Sequence, residues 1–117
     1  MSDRISKPWG WEEIVEQNPY YVVKKIFMKA LHQCSRQYHE YKTETIYILV
    51  GHLTISIGNG HPLANSCIYV EGQHITIPNK TIHRMSGKTD CLYLECSTPE
   101  LDDVVRIEDD YGRIDEN

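Results

Sequence analysis

The sequence predicts an all-β domain, closed or sandwiched in antiparallel sheets as in a jelly roll. Short stretches rich in β-branched and aromatic residues recur between turn signals at intervals of about 8–12 residues, and no helix-length amphipathic pattern interrupts them. At 117 residues the chain is long enough for one core and too short for two, so residues 1–117 are expected to form a single domain. Pattern alone leaves a jelly roll, an immunoglobulin-like sandwich and an up-and-down barrel open.

In chain order, residues 1–18 carry Trp9 and Trp11 around Pro8 and Gly10, and read as an ordered N-terminal arm held by aromatic burial. Tyr20 to Met28 is β-branched and aromatic and reads as a strand, and Met28 to Ser35 as a connection. Thr43 to Val50 and Leu53 to Ile57 form a hairpin around Gly51-His52, the second member alternating apolar and polar residues. After the Gly58 to Pro62 turn, Cys67 to Val70 and Gln73 to Ile77 are short strands broken at Glu71-Gly72. Thr81 to Met85, Cys91 to Cys96 and Asp103 to Ile107 complete the set, and Asp109 to Asn117 is a polar tail.

A net charge of −5 and scattered lysines and arginines argue against a nucleic-acid or anionic-membrane surface. Mean hydropathy is −0.49, and no stretch is long and apolar enough to span a bilayer or resemble a secretory signal, so a cytoplasmic protein is expected. Cys34, Cys67, Cys91 and Cys96 lack Cys-x-x-Cys spacing and are expected as free thiols.

The most informative stretch is residues 35–51, SRQYHEYKTETIYILVG. On a strand, Gln37, His39 and Tyr41 share one face and Tyr38 and Glu40 the other. Polar groups aligned on an inward face are costly unless a metal or ligand satisfies them.

Gln37-x-His39, Glu44 and the hairpin through Gly51, followed in residues 72–87 by Gly72, Pro78 and His83, resemble the two motifs of the cupins. Lys7-Pro8-Trp9-Gly10 and residues 103–113, DVVRIEDDYGR, are similar to the C-terminal cupin domain of type II mannose-6-phosphate isomerases, which often follows a mannose-1-phosphate guanylyltransferase domain. The resemblance implies a cupin jelly-roll barrel holding one divalent metal through Gln37, His39, Glu44 and His83. This mixed nitrogen and oxygen set suits Zn first, with Mn, Fe, Co or Ni as alternatives. Three features depart from the pattern. Leu31 stands near the usual opening glycine, Glu40 and Tyr41 replace histidines of the usual triplet, and no guanylyltransferase phosphate loop is present.

The implied reaction is aldose–ketose isomerisation of the mannose 6-phosphate to fructose 6-phosphate type, which needs a base, a cation to polarise oxygens and a phosphate clamp. Glu44 or Glu95 is the candidate base, with Arg106 as a further catalytic candidate. Lys25, Tyr41, Arg84, Arg106 and Arg113 are the candidates for binding the sugar phosphate. Tyr41, expected as an outer-shell hydrogen-bond donor or a weak fifth ligand, is the residue on which the choice between enzyme and binding module turns. His32, His52, His61 and His74 are assigned to loops or surface. The alternatives are a non-catalytic metal- or sugar-binding module, a dioxygenase and a nucleotide-sugar epimerase. A homodimer is expected, with the tryptophan arm in its contact.

Overall fold

The computed structural model describes residues 4–58, 65–100 and 102–112. These contain eleven strands and no helix: β1 Arg4–Lys7, β2 Gly10–Gln17, β3 Val22–Met28, β4 Arg36–His39, β5 Glu44–Val50, β6 Leu53–Ile57, β7 Ser66–Tyr69, β8 His74–Ile77, β9 His83–Gly87, β10 Cys91–Ser97 and β11 Val104–Glu108. One sheet runs β1-β2-β3-β10-β5-β8 and the other β11-β4-β9-β6-β7, every strand pairing antiparallel. The chain passes back and forth between the sheets, the jelly-roll pattern that the resemblance implies and one of the three architectures that strand spacing left open.

The segment read as an arm is sheet. Pro8 and Trp9 form the turn between β1 and β2, and β2 pairs along the whole of β3. Its acidic residues, Glu12, Glu13 and Glu16, hide the strand in a composition-based reading. Trp9 is buried in the core, and its carbonyl accepts from the Lys29 N–H at 2.9 Å. Gly10 is required by space: a Cβ there would run into the Phe27 carbonyl of β3.

The inward residues change character along the strands. On β10, Cys91 and Tyr93 are followed by Glu95 and Ser97, all buried. On β5, Glu44 precedes Ile46 and Ile48, and on β9 His83 precedes Met85. Register aligns these gradients: Glu44 lies opposite Ser97, and Ile48 opposite Tyr93. One end of the interior is therefore an apolar plug of Ile26, Met28, Ile48, Leu53, Ile55 and Tyr93. Each such side chain contributes roughly 1.5–3 kcal/mol on burial. The other end is polar, and the plug positions it.

The position near which a glycine is usual has its own cost. Leu31 sits at φ 62° with its side chain 90% exposed, a left-handed backbone carried by a residue that gains nothing from burial. That conformation costs roughly 1–2 kcal/mol in an L-residue, against roughly 0.5–1 kcal/mol of extra chain entropy for glycine. Leu31→Gly should therefore raise unfolding free energy by about 0.5–1 kcal/mol in a urea titration; an unchanged or lowered midpoint would refute the strain.

Candidate metal centre

Three side chains from three strands meet at the polar end. His39 closes β4, Glu44 opens β5 and His83 opens β9. Glu44 Oε1 lies 3.2 Å from His39 Nε2 and 3.3 Å from His83 Nε2, and the two imidazole centroids are 5.6 Å apart. All three residues are buried, Glu44 at 1% exposure.

Each imidazole turns its other nitrogen to a backbone carbonyl: His39 Nδ1 to Asp103 at 3.2 Å, His83 Nδ1 to Thr81 at 2.9 Å. A carbonyl can only accept, so both Nδ1 atoms carry a proton, and in the neutral imidazoles both Nε2 atoms present lone pairs. These face a carboxylate, which is also an acceptor. Both Glu44 oxygens and His83 Nε2 are accordingly buried without a hydrogen-bond partner, despite their proximity.

In that neutral form three acceptors meet with no proton between them, an arrangement that a cation satisfies. Donors about 2.1 Å from a common ion, at angles between octahedral and tetrahedral, stand about 3.0–3.4 Å apart, which is the separation found. The residues thus fit a divalent metal. Burial opposes the Glu44 charge, but the contacts from His39, His83 and Glu95 outweigh it and hold the carboxyl well below its ordinary range.

Residues 1–109 match the family model described as mannose-6-phosphate isomerase C-terminal. The chain belongs to that family. It is 30% identical to the mannose-1-phosphate guanylyltransferase ManC of Salmonella typhimurium over 97% of its own length, but spans only 24% of that protein. Among solved structures, KdgF from Halomonas sp. matches with a TM-score of 0.74 at 17% identity, over 86% of this chain and 90% of that one. A double-stranded β-helix protein from Klebsiella pneumoniae matches with a TM-score of 0.73 at 16% identity, over 90% of each chain. The fold is the cupin barrel.

The other predicted site residues fall in different places of this cupin. Gln37 lines the interior, lies opposite His83 in the β4–β9 pairing, and accepts from the Ser35 hydroxyl through Oε1. Arg106 lies opposite Gln37 on β11 and lines the same cavity of about 600 Å³. Glu95 also lines it, its Oε2 3.4 Å from Lys42 Nζ. Burial, then the Glu44 charge, push the Glu95 carboxyl up to about 8 against the opposing pull of Lys42 and Lys24.

Three candidates are not brought to the site. Tyr41 lies past the end of β4, where the strand alternation no longer applies, and is 70% exposed. Its N–H, with those of Glu40 and Lys42, donates to the Asp103 carboxylate. Lys25 has the wrong parity, and Lys24 is the β3 lysine that lines the cavity. Arg84 follows inward-facing His83 and so leaves the other face of β9, where it donates to the Cys34 carbonyl and to Asp110, both at 2.9 Å. Arg113 lies outside the described residues, as does His61. His32 and His74 are exposed and His52 partly so, none of them at the site.

Sequence reasoning missed Lys24, Lys42 and the Asp103 clamp. Lys42 could have been found, two residues before Glu44 and hence on its face if the strand extends. The clamp could not: it is a contact between segments about sixty residues apart.

Metal-free protein should show the Glu95 shift as a pH dependence. A carboxyl whose folded pKa lies above its unfolded value contributes stability on the acid side, lost as pH rises through the folded value. Between about pH 5 and about pH 8, chelated wild type should lose stability to denaturant as pH rises, and Glu95→Gln should flatten that slope. Equal slopes in the two proteins would contradict the assignment.

Proposed function

We propose that this chain is a metal-dependent cupin isomerase acting on a sugar phosphate, of the aldose–ketose, mannose 6-phosphate to fructose 6-phosphate type. The observation that supports it is the buried His39, Glu44 and His83 cluster, whose His39 lines a charged cavity of about 600 Å³ together with Glu95. Family membership supports the substrate class. Its longer relatives carry further sequence, so the reaction of this piece is read from its own site.

His39, Glu44 and His83, with Gln37 as a fourth donor, would hold the ion, Zn first among Mn, Fe, Co and Ni. Such an ion supplies polarisation of the substrate's carbonyl and adjacent hydroxyl oxygens. Glu95 does the proton work. It takes the C2 proton while the C–H electron pair becomes the C1=C2 bond of the enediol and the C1=O1 π pair moves to O1, which takes up a proton, balanced when O2 later loses its own. Delivering the proton to C1, with loss of the O2 proton, gives the ketose.

A carboxyl that both takes and returns a proton suits the two halves of that transfer, and burial raises Glu95 towards the pH range in which it can do both. Lys42, in the connection between β4 and β5, and Arg106 on β11 place fixed positive charge beside the oxygens that become negative. The apolar plug of Ile48 and Tyr93 closes the cavity behind them, limiting water at the enediol.

A second reading, a non-catalytic metal- or sugar-binding module, is favoured by one observation. Gln37 offers a neutral amide where a histidine would bind a borderline metal more strongly.

Metal analysis of the purified protein and a coupled assay for mannose 6-phosphate and fructose 6-phosphate, with and without chelator, separate the two. The isomerase reading predicts metal-dependent turnover. Glu95→Gln should retain the metal and lose roughly a hundredfold or more in kcat, while His83→Ala should lose the metal. Full metal occupancy without turnover on either substrate would leave the binding module.

A further inference from the structure

The inner wall of the six-stranded sheet carries a line of alternating charge. Lys42 Nζ lies 3.4 Å from Glu95 Oε2, and Glu95 on β10 is the register partner of Lys24 on β3. Lys24 Nζ lies 3.3 Å from Glu12 Oε1 on β2, and the same oxygen lies 4.0 Å from Nζ of Lys7 at the end of β1. All five side chains line one cavity. Crossing the sheet, the line runs from the metal cluster through the base to a pair of lysines converging on a single carboxylate.

The pair is not an ordinary surface network. The Lys24 side chain is 12% exposed, Glu12 14% and Lys7 25%. Two ammonium groups held by one carboxylate leave an excess positive charge in a concave, partly desolvated wall, where an anion is bound more strongly than at an open surface.

Position sets the class of ligand. Glu44 pairs with Ser97, and Ser97 with Val22, so Lys24 is two strands across and two residues along from Glu44. With strands about 4.8 Å apart and a rise of about 3.4 Å per residue, that separation is about 12 Å along the sheet. Glu95 is only one strand from Lys24, but the Lys24 ammonium is carried away from it to Glu12 on β2. A six-carbon chain with its reacting end between Glu44 and Glu95 therefore places a terminal phosphate ester towards Lys24 and Lys7. Resting on the sugar-phosphate reading above, we propose that Lys24 and Lys7 form the subsite for the substrate's terminal phosphate. Glu12 holds the two ammonium groups together when no anion is bound, and the carboxylates along the wall accept from the hydroxyls between.

Titration calorimetry with mannitol 6-phosphate tests this, since the probe carries the phosphate but no carbonyl and cannot be isomerised. Full-length wild type, Lys24→Met, Lys7→Met, Lys24→Arg and Lys25→Met would be compared, each checked for thermal midpoint and metal content. Loss of one charge-assisted contact should weaken binding roughly tenfold or more in Lys24→Met and Lys7→Met. Lys24→Arg should restore most of the affinity, and Lys25→Met, altered on the outer face, should bind like wild type. Unphosphorylated mannitol should show no such difference between variants.

Binding by folded, metal-loaded Lys24→Met within twofold of wild type would overturn the subsite, as would an equal loss in Lys25→Met. Tighter binding of the corresponding sugar acid, mannonate, than of the phosphate would overturn the choice of phosphate. Because binding is read without turnover, absence of isomerase activity would not alter these results. A failed subsite beside an active isomerase would count against the subsite alone.

Discussion

The structure turns on a buried carboxylate with two imidazoles each within about 3.3 Å of it, three metal-ligating groups gathered at one point. Glu44 is almost wholly buried between His39 and His83, and the backbone carbonyls of Asp103 and Thr81 each take one imidazole nitrogen, leaving Nε2 of both rings towards the carboxylate. In a low-dielectric interior this arrangement is unfavourable until a cation enters. Every neighbouring feature either enforces it or uses it.

Enforcement comes from the two ends of the chain's fold. The apolar plug fixes the register that sets Glu44 opposite Ser97 and carries His83 in on β9. On the far side, Asp103 grips the turn after β4 with its carboxylate, accepting from three successive N–H groups, and orients His39 with its carbonyl. Arg36 reaches Glu108 at 3.0 Å and Arg84 reaches Asp110, tying the β11 segment to β4 and β9. The C-terminal motif thus acts through contacts far from it in sequence.

What was legible in the sequence follows from what local rules control. The strand count from Tyr20 onward and the meeting of His39, Glu44 and His83 follow turn chemistry, alternation and motif order. The sequence does not show which β3 lysine faces inward, because β3 is apolar on both faces, Val23 and Phe27 matching Val22 and Ile26, so alternation gives no inward direction for Lys24 over Lys25. Tyr41 was placed on the His39 face by extending a strand that ends at His39, where Asp103 takes over the backbone donors. Arg84 was assigned to the site although it adjoins His83, and adjacent strand residues cannot share a face. The choice between enzyme and binding module therefore passes from Tyr41 to Gln37 and Glu95, which line the cavity.

The most direct measurement is anomalous diffraction from a crystal of the protein purified without added metal, collected at the absorption edges of Zn, Mn, Fe, Co and Ni. The account predicts a single strong peak about 2.1 Å from His39 Nε2, His83 Nε2 and a Glu44 oxygen. No peak at that point, with a protonated imidazole donating to Glu44 instead, would contradict it.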